Sequence, residues 1–308
     1  MSTFDRAIGP SVEPPVGPTP PMSAEQMVGE TTAQVRRETF RQVLRSKTVW
    51  IGIIVSLVWT TCAVFGMRIA PQDPYKTNPI GKHKPPSAEH YFGTDSLGRD
   101  IFSRIIVGAR DILTVAPLAT LLGTILGTAL GLAMGYFRGW TDDILSRIVE
   151  ALLALPLVIV AIVALAATGV STKTLICVIA FVFMPIIART VRAAVLSERE
   201  LEYVAAARLR GERSSYILFF EILPNVMPPI LVEFTVRIAY AVFAVATLSY
   251  LGFGPQPPSP DWGLQIFDGT KFISAGFWWE SLFPAMAIAS LVIAVSLISD
   301  GIQQAVRN

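Results

Sequence analysis

The chain is poor in the side chains most enzymes use. It has only two histidines, His83 and His90, and two cysteines, Cys62 and Cys177, in 308 residues. No His-Glu-x-x-His, no Gly-x-Ser-x-Gly and no Cys/His cluster occurs, so zinc-hydrolase and serine-hydrolase chemistry fail on inventory and no metal is expected. Both histidines read as exposed loop residues. Both cysteines lie inside apolar runs, where a free thiol against packed neighbours is expected instead of a disulfide. Charge is scarce as well. Only 16% of residues are charged, against roughly 25% in soluble domains. The formal charge of +2 leaves no basic footprint, and no nucleic-acid partner is expected. Gly93-x-x-x-x-Gly98 is followed by Arg99-Asp100 rather than Lys-Ser/Thr, so it is not a phosphate loop. No ATP site of that kind is therefore expected on this chain, and no cofactor.

What the chain does have is hydrocarbon. It is 52% hydrophobic with a mean hydropathy of +0.54, and long stretches carry no charge. These values define an all-α, polytopic membrane protein. A bilayer core of ~30 Å needs about 20 apolar residues per helix, and six segments qualify: Thr48–Ala70, Ile112–Phe137, Ile144–Thr168, Thr174–Val195, Pro228–Phe253 and Glu280–Gln304. Pro156 and Pro185 fall inside the third and fourth, where membrane helices tolerate kinks. More Lys and Arg fall on the N-terminal side (Arg6 to Lys47, Arg138, Arg147 and Arg189 to Arg213) than on the other, which orients both termini to the cytoplasm. The expected organisation is a disordered cytoplasmic tail over 1–47, Pro-rich at "GPSVEPPVGPTPP", then a first transmembrane helix over 48–70. An extracytoplasmic loop follows over 71–111. A five-helix core over 112–304 contains a cytoplasmic loop over 197–227, and a short cytoplasmic C-terminus covers 305–308.

Three features stand out from the hydrocarbon. Gly123, Gly127, Gly131 and Gly135 recur every four residues and form a stripe on one face of the second span. Such a stripe admits another backbone closely, either at a moving interface or in static packing. Glu233 and Arg237 lie four apart in the fifth span, on one face. Charge at that depth faces a bundle interior or a wet path, so the pair reads either as a lining of a translocation path or as a structural ion pair. The third feature is the polar stretch "EYVAAARLRGERSSYILFFEILPN", Glu202 to Asn225. Ser197-x-x-Glu200 has the form of a capping box, Leu201, Val204, Ala205 and Leu209 share a face, and Arg208 and Arg210 complement the dipole of the last turn. Gly211 suits a left-handed helix end, Ser214 or Ser215 can cap a second helix, and Pro224 can close it. The expected product is a helix-turn-helix elbow on the cytoplasmic face, serving as a protein docking surface or lying on the bilayer as an amphipathic loop.

Outside the membrane, "GTDSLGRDIFSRIIVGAR" reads as a second amphipathic helix in the interfacial plane. Asp95 caps it, Leu97, Ile101, Phe102, Ile105 and Ile106 lie on its apolar side, and Arg99, Ser103 and Arg104 are exposed opposite, with Asp100 and Arg104 as an i,i+4 pair. "GPQPPSPDWG" is too Pro-rich for a helix and reads as a rigid loop.

The elbow resembles the cytoplasmic coupling loop of permease subunits of binding-protein-dependent ABC importers, whose pattern is Glu-Ala-Ala, three residues, Gly, then about a dozen residues to Leu-Pro. Here Ala205-Ala206-Ala207, Gly211 and Leu223-Pro224 match that spacing. Ala205 replaces the glutamate, Glu202 lies about one turn earlier, and Glu221 sits where the family often has histidine. "HYFGTDSLGRDIFSRIIVGAR" and "SYLGFGPQPPSPDWG" resemble phrases before the second and after the fifth span of C-type dipeptide, oligopeptide and nickel permeases. The last span, "WWESLFPAMAIASLVIAVSLISDGIQQAV", is similar too, with Pro284-Ala285 and Ser299-Asp300 where the family usually has Pro-Gly and Gly-Asp.

The resemblance implies a type I ABC importer-like core that forms half of a translocation path. It also implies a second homologous permease subunit, two ATPase subunits or a fused pair, an extracytoplasmic solute-binding protein facing the "GPQPPSPDWG" loop, and a bacterial inner-membrane setting among membrane lipid. Short peptides are the expected cargo, with nickel chelates second. If the family's glutamate makes an ion pair with the ATPase, Ala205 removes it here, and Glu202 or the partner permease would have to supply that contact. The rival from another class, an ion-coupled secondary transporter, needs an internal repeat and buried protonatable groups at mid-depth. No repeat is present, and Glu233 with Arg237 is all the chain offers.

Overall fold

The computed structural model describes residues 46–307. Most of the expected tail, residues 1–45, therefore lies outside the described residues. Within them every extended element is helical, and the one β-type contact is an isolated bridge between Thr94 and Asp100. Helix α1 spans Lys47–Ile69, α2 Ile101–Phe137, α3 Trp140–Leu153, α4 Leu157–Thr168 and α5 Thr172–Glu198. Helix α6 spans Glu202–Leu209, α7 the continuous stretch Ser214–Tyr250, α8 Trp262–Thr270 and α9 Trp279–Arg307. Helix α9 runs on to Arg307, so residues 305–307 continue the last helix.

Five of these helices are long and apolar enough to cross a bilayer, or six if α3 and α4 count as one bent span. The expected single span Ile144–Thr168 is corrected on this point, because α3 and α4 meet at 92°. Pro156 is the cause. It has no N–H to continue the ladder and disfavours a helical Leu155, so it sits in an extended conformation as the residue flanking α4. With 12 residues, α4 is only about 18 Å long, short of the ~30 Å hydrocarbon core. Pro185, by contrast, stays inside an unbroken α5.

The expected interfacial helix is corrected too. It is the first part of α2, a single helix of 37 residues. Asp100, not Asp95, caps it, accepting from the Ser103 N–H at 2.8 Å. Asp95 instead closes the preceding turn by accepting from the N–H groups of Leu97 and Arg99. A helix that long, about 55 Å, must reach beyond the hydrocarbon at one end or both. Arg104, expected on an exposed face, is 1% exposed. It donates to the carbonyls of Pro74 at 3.1 Å and Ser259 at 2.9 Å, so it bridges loops and makes no pair with Asp100.

The glycine stripe packs against α5. An added Cβ would meet Ala180 at Gly123, Ile187 at Gly127, Val191 at Gly131 and Val195 at Gly135, at 2.7 to 3.0 Å in each case. Contact this close explains why the α2–α5 seam is the centre of the core. Its Ile179, Phe183, Ile187, Val191 and Val195 are all buried.

The end of the molecule where α1 stops is covered by loops sewn together with polar bonds. His90 Nδ1 lies 3.0 Å from Asp100, and His83 Nδ1 lies 2.5 Å from Glu280 at the head of α9. The two histidines are thus partnered to carboxylates, which corrects their reading as exposed loop residues. Both are within reach because the loop folds back over the heads of α2 and α9. The "GPQPPSPDWG" loop is non-helical up to Asp261, which caps α8 through the Leu264 N–H at 2.9 Å. The Trp262 indole donates to the Ile105 carbonyl at 2.8 Å and meets Trp59 edge-on at 4.7 Å. Burial, reinforced by nearby Asp111, pushes the Asp261 carboxyl up to about 6. Cys62 and Cys177 are free thiols.

Candidate functional site: the polar elbow

The elbow begins later than its sequence suggests. Ser197 lies inside α5, and α6 starts at Glu202 behind Leu201, with no side-chain cap. Two contacts displace the expected capping box. Val195 extends the glycine seam by packing on Gly135, which keeps the chain helical to Glu198. The Glu200 carboxylate is drawn to Arg138 at 2.6 Å. At the other end of α6 the expectation and the geometry agree. Gly211 adopts φ +75°. Its N–H donates to the Arg208 carbonyl, and the Glu212 N–H donates to that of Ala207, the Schellman pairing.

Ser214 and Ser215 do not act as caps. Arg213 flanks the helix, and Ser214 is already helical. Nor does Pro224 close a short helix. The chain runs through it into α7, after a π-helical turn over Ile217–Ile222. A wider turn there relieves the clash of a proline ring with the carbonyl four residues earlier.

The three alanines split. Ala207 is buried with Val204, whereas Ala205 and Ala206 face outward with Leu201, Glu202 and Leu209. The expected shared face of Leu201, Val204, Ala205 and Leu209 is therefore corrected: Val204 and Ala207 anchor the helix, and Leu201, Ala205 and Leu209 form an exposed stripe. Leu209 is 90% exposed.

The anchor itself was not legible in the sequence. Tyr136, at the end of α2, holds the elbow through Arg199, which donates to its carbonyl, and Arg208, whose guanidinium lies 5.3 Å over its ring. Burial, together with neighbouring Arg138 and Arg208, lowers the Arg199 guanidinium from its ordinary value. Tyr203 ties α6 to both neighbours, donating to Glu198 at 2.8 Å and accepting from the Asn225 amide at 3.1 Å. Burial, and next the bond to Glu198, push its phenol up to about 12. Arg210 reaches Glu221 at 3.1 Å. The elbow is thus bolted to the ends of α2, α5 and α7 while its outer stripe stays free. Motion applied to that stripe would pass to three helices at once.

Glu233 and Arg237 pair within α7 at 2.6 Å, and the guanidinium lies 5.3 Å over the Tyr240 ring. A cavity of about 450 Å³ between α7 and α9 is lined by Val236, Tyr240, Phe243, Ser296, Asp300 and Gln303, and neither member of the pair lines it. Among the described residues no cluster of three His, Cys, Asp or Glu side chains could hold a metal ion.

An apolar helical bundle with one polar elbow anchored on its helix ends defines the class: a multi-span membrane transport subunit. The chain belongs to the family of binding-protein-dependent transport system inner membrane components, the ABC importer permeases, whose description matches residues 127–308. Residues 35–86 match the N-terminal transmembrane domain of oligopeptide transport permease C. Among similar proteins is the dipeptide transport system permease protein DppC of Alkalihalophilus pseudofirmus, 38% identical over 87% of this chain and 88% of that protein. DppC of Bacillus subtilis is 35% identical over 87% and 84%. The glutathione transport system permease protein GsiD of Escherichia coli is 35% identical over 87% and 88%. A solved inward-facing structure of the MetNI methionine ABC transporter shares the fold, with a TM-score of 0.53 and 20% identity over 66% of this chain and 95% of that one.

Proposed function

We propose that the chain imports short peptides as one half of an ATP-driven translocation path. A second, related permease forms the other half. Two cytoplasmic ATPase subunits, or a fused pair, bind ATP and Mg, and an extracytoplasmic binding protein delivers cargo. Relatives named for dipeptide and glutathione transport support the cargo class. The positive-inside bias supports cytoplasmic termini and a cytoplasmic elbow.

The observation that carries the coupling role is the elbow's exposed stripe of Leu201, Ala205 and Leu209, mounted through Val204, Ala207 and Tyr136 on the helix ends. With Ala205 central in that stripe, the contact to the ATPase is apolar at its middle, and Glu202 lies at its edge. ATP binding closes the ATPase dimer, the elbow shifts, and α2, α5 and α7 move with it. The glycine seam lets α2 slide on α5, and the Glu233–Arg237 pair lies along the path. The test is ATP-dependent uptake of labelled dipeptides by proteoliposomes holding the co-purified assembly. Uptake that survives removal of the ATPase subunits and collapses with an uncoupler would assign the chain to ion-coupled transport instead.

A further inference from the structure

Beside α1, at the end covered by the loops, lies a second cavity of about 430 Å³, within the ~300–1,000 Å³ range of small-molecule sites. Its chemistry is two-sided. One wall holds Tyr75, Arg110, Asp111 and Gln256, and the other holds Val64 and Met67 of α1. Val64 and Met67 are themselves exposed along the membrane-crossing helix, so the apolar wall opens toward lipid. Helix α1 packs only on α2 and α9 among its larger contacts, which sets this cavity at the edge of the bundle.

The polar wall carries unmatched groups of both signs. Among the described residues the Arg110 guanidinium has no hydrogen bond or ion pair, and the Tyr75 hydroxyl has no hydrogen bond. Asp111 accepts from the Ser259 hydroxyl at 2.7 Å through Oδ2, which leaves Oδ1 open. The Gln256 amide nitrogen is committed to the carbonyls of Gly252 and Gly254, which leaves its oxygen open. Donors for an anion and acceptors for an ammonium therefore stand side by side, above a hydrocarbon wall.

We propose that this cavity binds the zwitterionic headgroup of a phospholipid, phosphatidylethanolamine in chemical type. Arg110 and Tyr75 hold the phosphate, Asp111 and Gln256 take the ammonium, and the acyl chains run down α1 past Val64 and Met67. A guanidinium gives a charge-assisted bond to phosphate, and the low-dielectric edge of the bilayer strengthens both polar contacts. The lipid would wedge α1 to the loop that carries Ser259.

The test uses the co-purified assembly in mild detergent, with bound lipid read by native mass spectrometry and stability by thermal melting. Phosphatidylethanolamine is retained at least threefold over phosphatidylglycerol, whose headgroup has no ammonium for Asp111. It also raises the melting temperature. Asp111→Asn abolishes that preference, and Arg110→Gln, which removes the partner of the phosphate common to both lipids, lowers the retention of both. The ranking in the unsubstituted protein needs no variant, so misfolding of either one leaves it standing. Equal retention of the two lipids, or preference for phosphatidylglycerol, overturns the proposal. Water-soluble phosphoethanolamine gives no melting shift; a shift matching the lipid's would mean the occupant is a free zwitterion and would overturn the lipid assignment.

Discussion

The two ends of the bundle are built on opposite principles. At the loop-covered end, one set of charged groups is buried and mutually bonded, apart from the open cavity that Arg110 lines. Arg104 reaches three partners, and His83, His90, Asp100, Asp261 and Glu280 each have one or more. At the elbow, the pairs are exposed. Arg138 and Glu200 are 48% and 62% accessible, and Arg210 is 54% accessible. A buried ion pair costs heavily to break because one partner is left charged without compensation, whereas an exposed pair contributes about 0–1 kcal/mol. The first end is therefore a rigid frame. The second holds its shape through buried Val204 and Ala207 and the contacts of Tyr136 and Tyr203, and leaves the stripe of Leu201, Ala205 and Leu209 exposed.

Substitutions at the two ends should separate widely. Arg104→Ala leaves the Pro74 and Ser259 carbonyls without their donor while Asp95 keeps Arg99 at 2.6 Å, and should cost about 1–3 kcal/mol for each buried group left unpaired, seen as a large drop in the melting temperature of the purified assembly. A drop no greater than that of an elbow ion-pair variant would erase the contrast.

Asp261 gives the frame a pH signature. Its ordinary value is 3.8 and its folded value is about 6, so the folded state holds the extra proton in between. That stabilisation is fully present below pH 3.8 and lost as pH rises through about 6, on the order of 3 kcal/mol in all. Melting temperatures across pH 4 to 7.5 should fall in the parent protein and stay flatter in Asp261→Asn, which keeps the acceptor for the Leu264 N–H. Parallel curves would contradict the assignment.

Between the two ends runs the glycine seam. Gly131→Val forces a side chain into contacts of 2.7 Å with Val191 and the Ala188 carbonyl, and overpacking of this kind costs about 1–3 kcal/mol. If the seam also slides, uptake should fall further than stability; equal losses would make it static packing. The smallest effect belongs to the elbow's exposed pair. Arg138→Ala should change the melting temperature by an amount equivalent to about 0.5 kcal/mol or less.

Legibility followed the range of the interactions. Five of the six spans, the glycine stripe and the Gly211 helix end could be read because each depends on local composition or spacing. The break at Pro156 could not, since kinked and broken spans share the same proline signal and only the surroundings of α3 and α4 decide between them. The burial of the histidines has no local signal, because their partners, Glu280 and Asp100, come from α9 and the head of α2. The elbow's motif marked the right segment but the wrong buried face. Nothing in the spacing of Tyr136, Arg199 and Arg208 announces that one tyrosine at the end of α2 anchors α6. An aromatic residue closing a glycine stripe, opposite an arginine-rich loop, was the available signal.

Whether the elbow receives the motor's stroke is open to one direct measurement: cross-linking from Ala205→Cys, in a background with Cys62→Ala and Cys177→Ala, within the intact assembly during turnover. A cross-link to the nucleotide-hydrolysing subunit should form, and its yield should change when ATP is added. Labelling of Cys at position 205 by a membrane-impermeant reagent from outside whole cells, with no ATP-dependent cross-link, would contradict it.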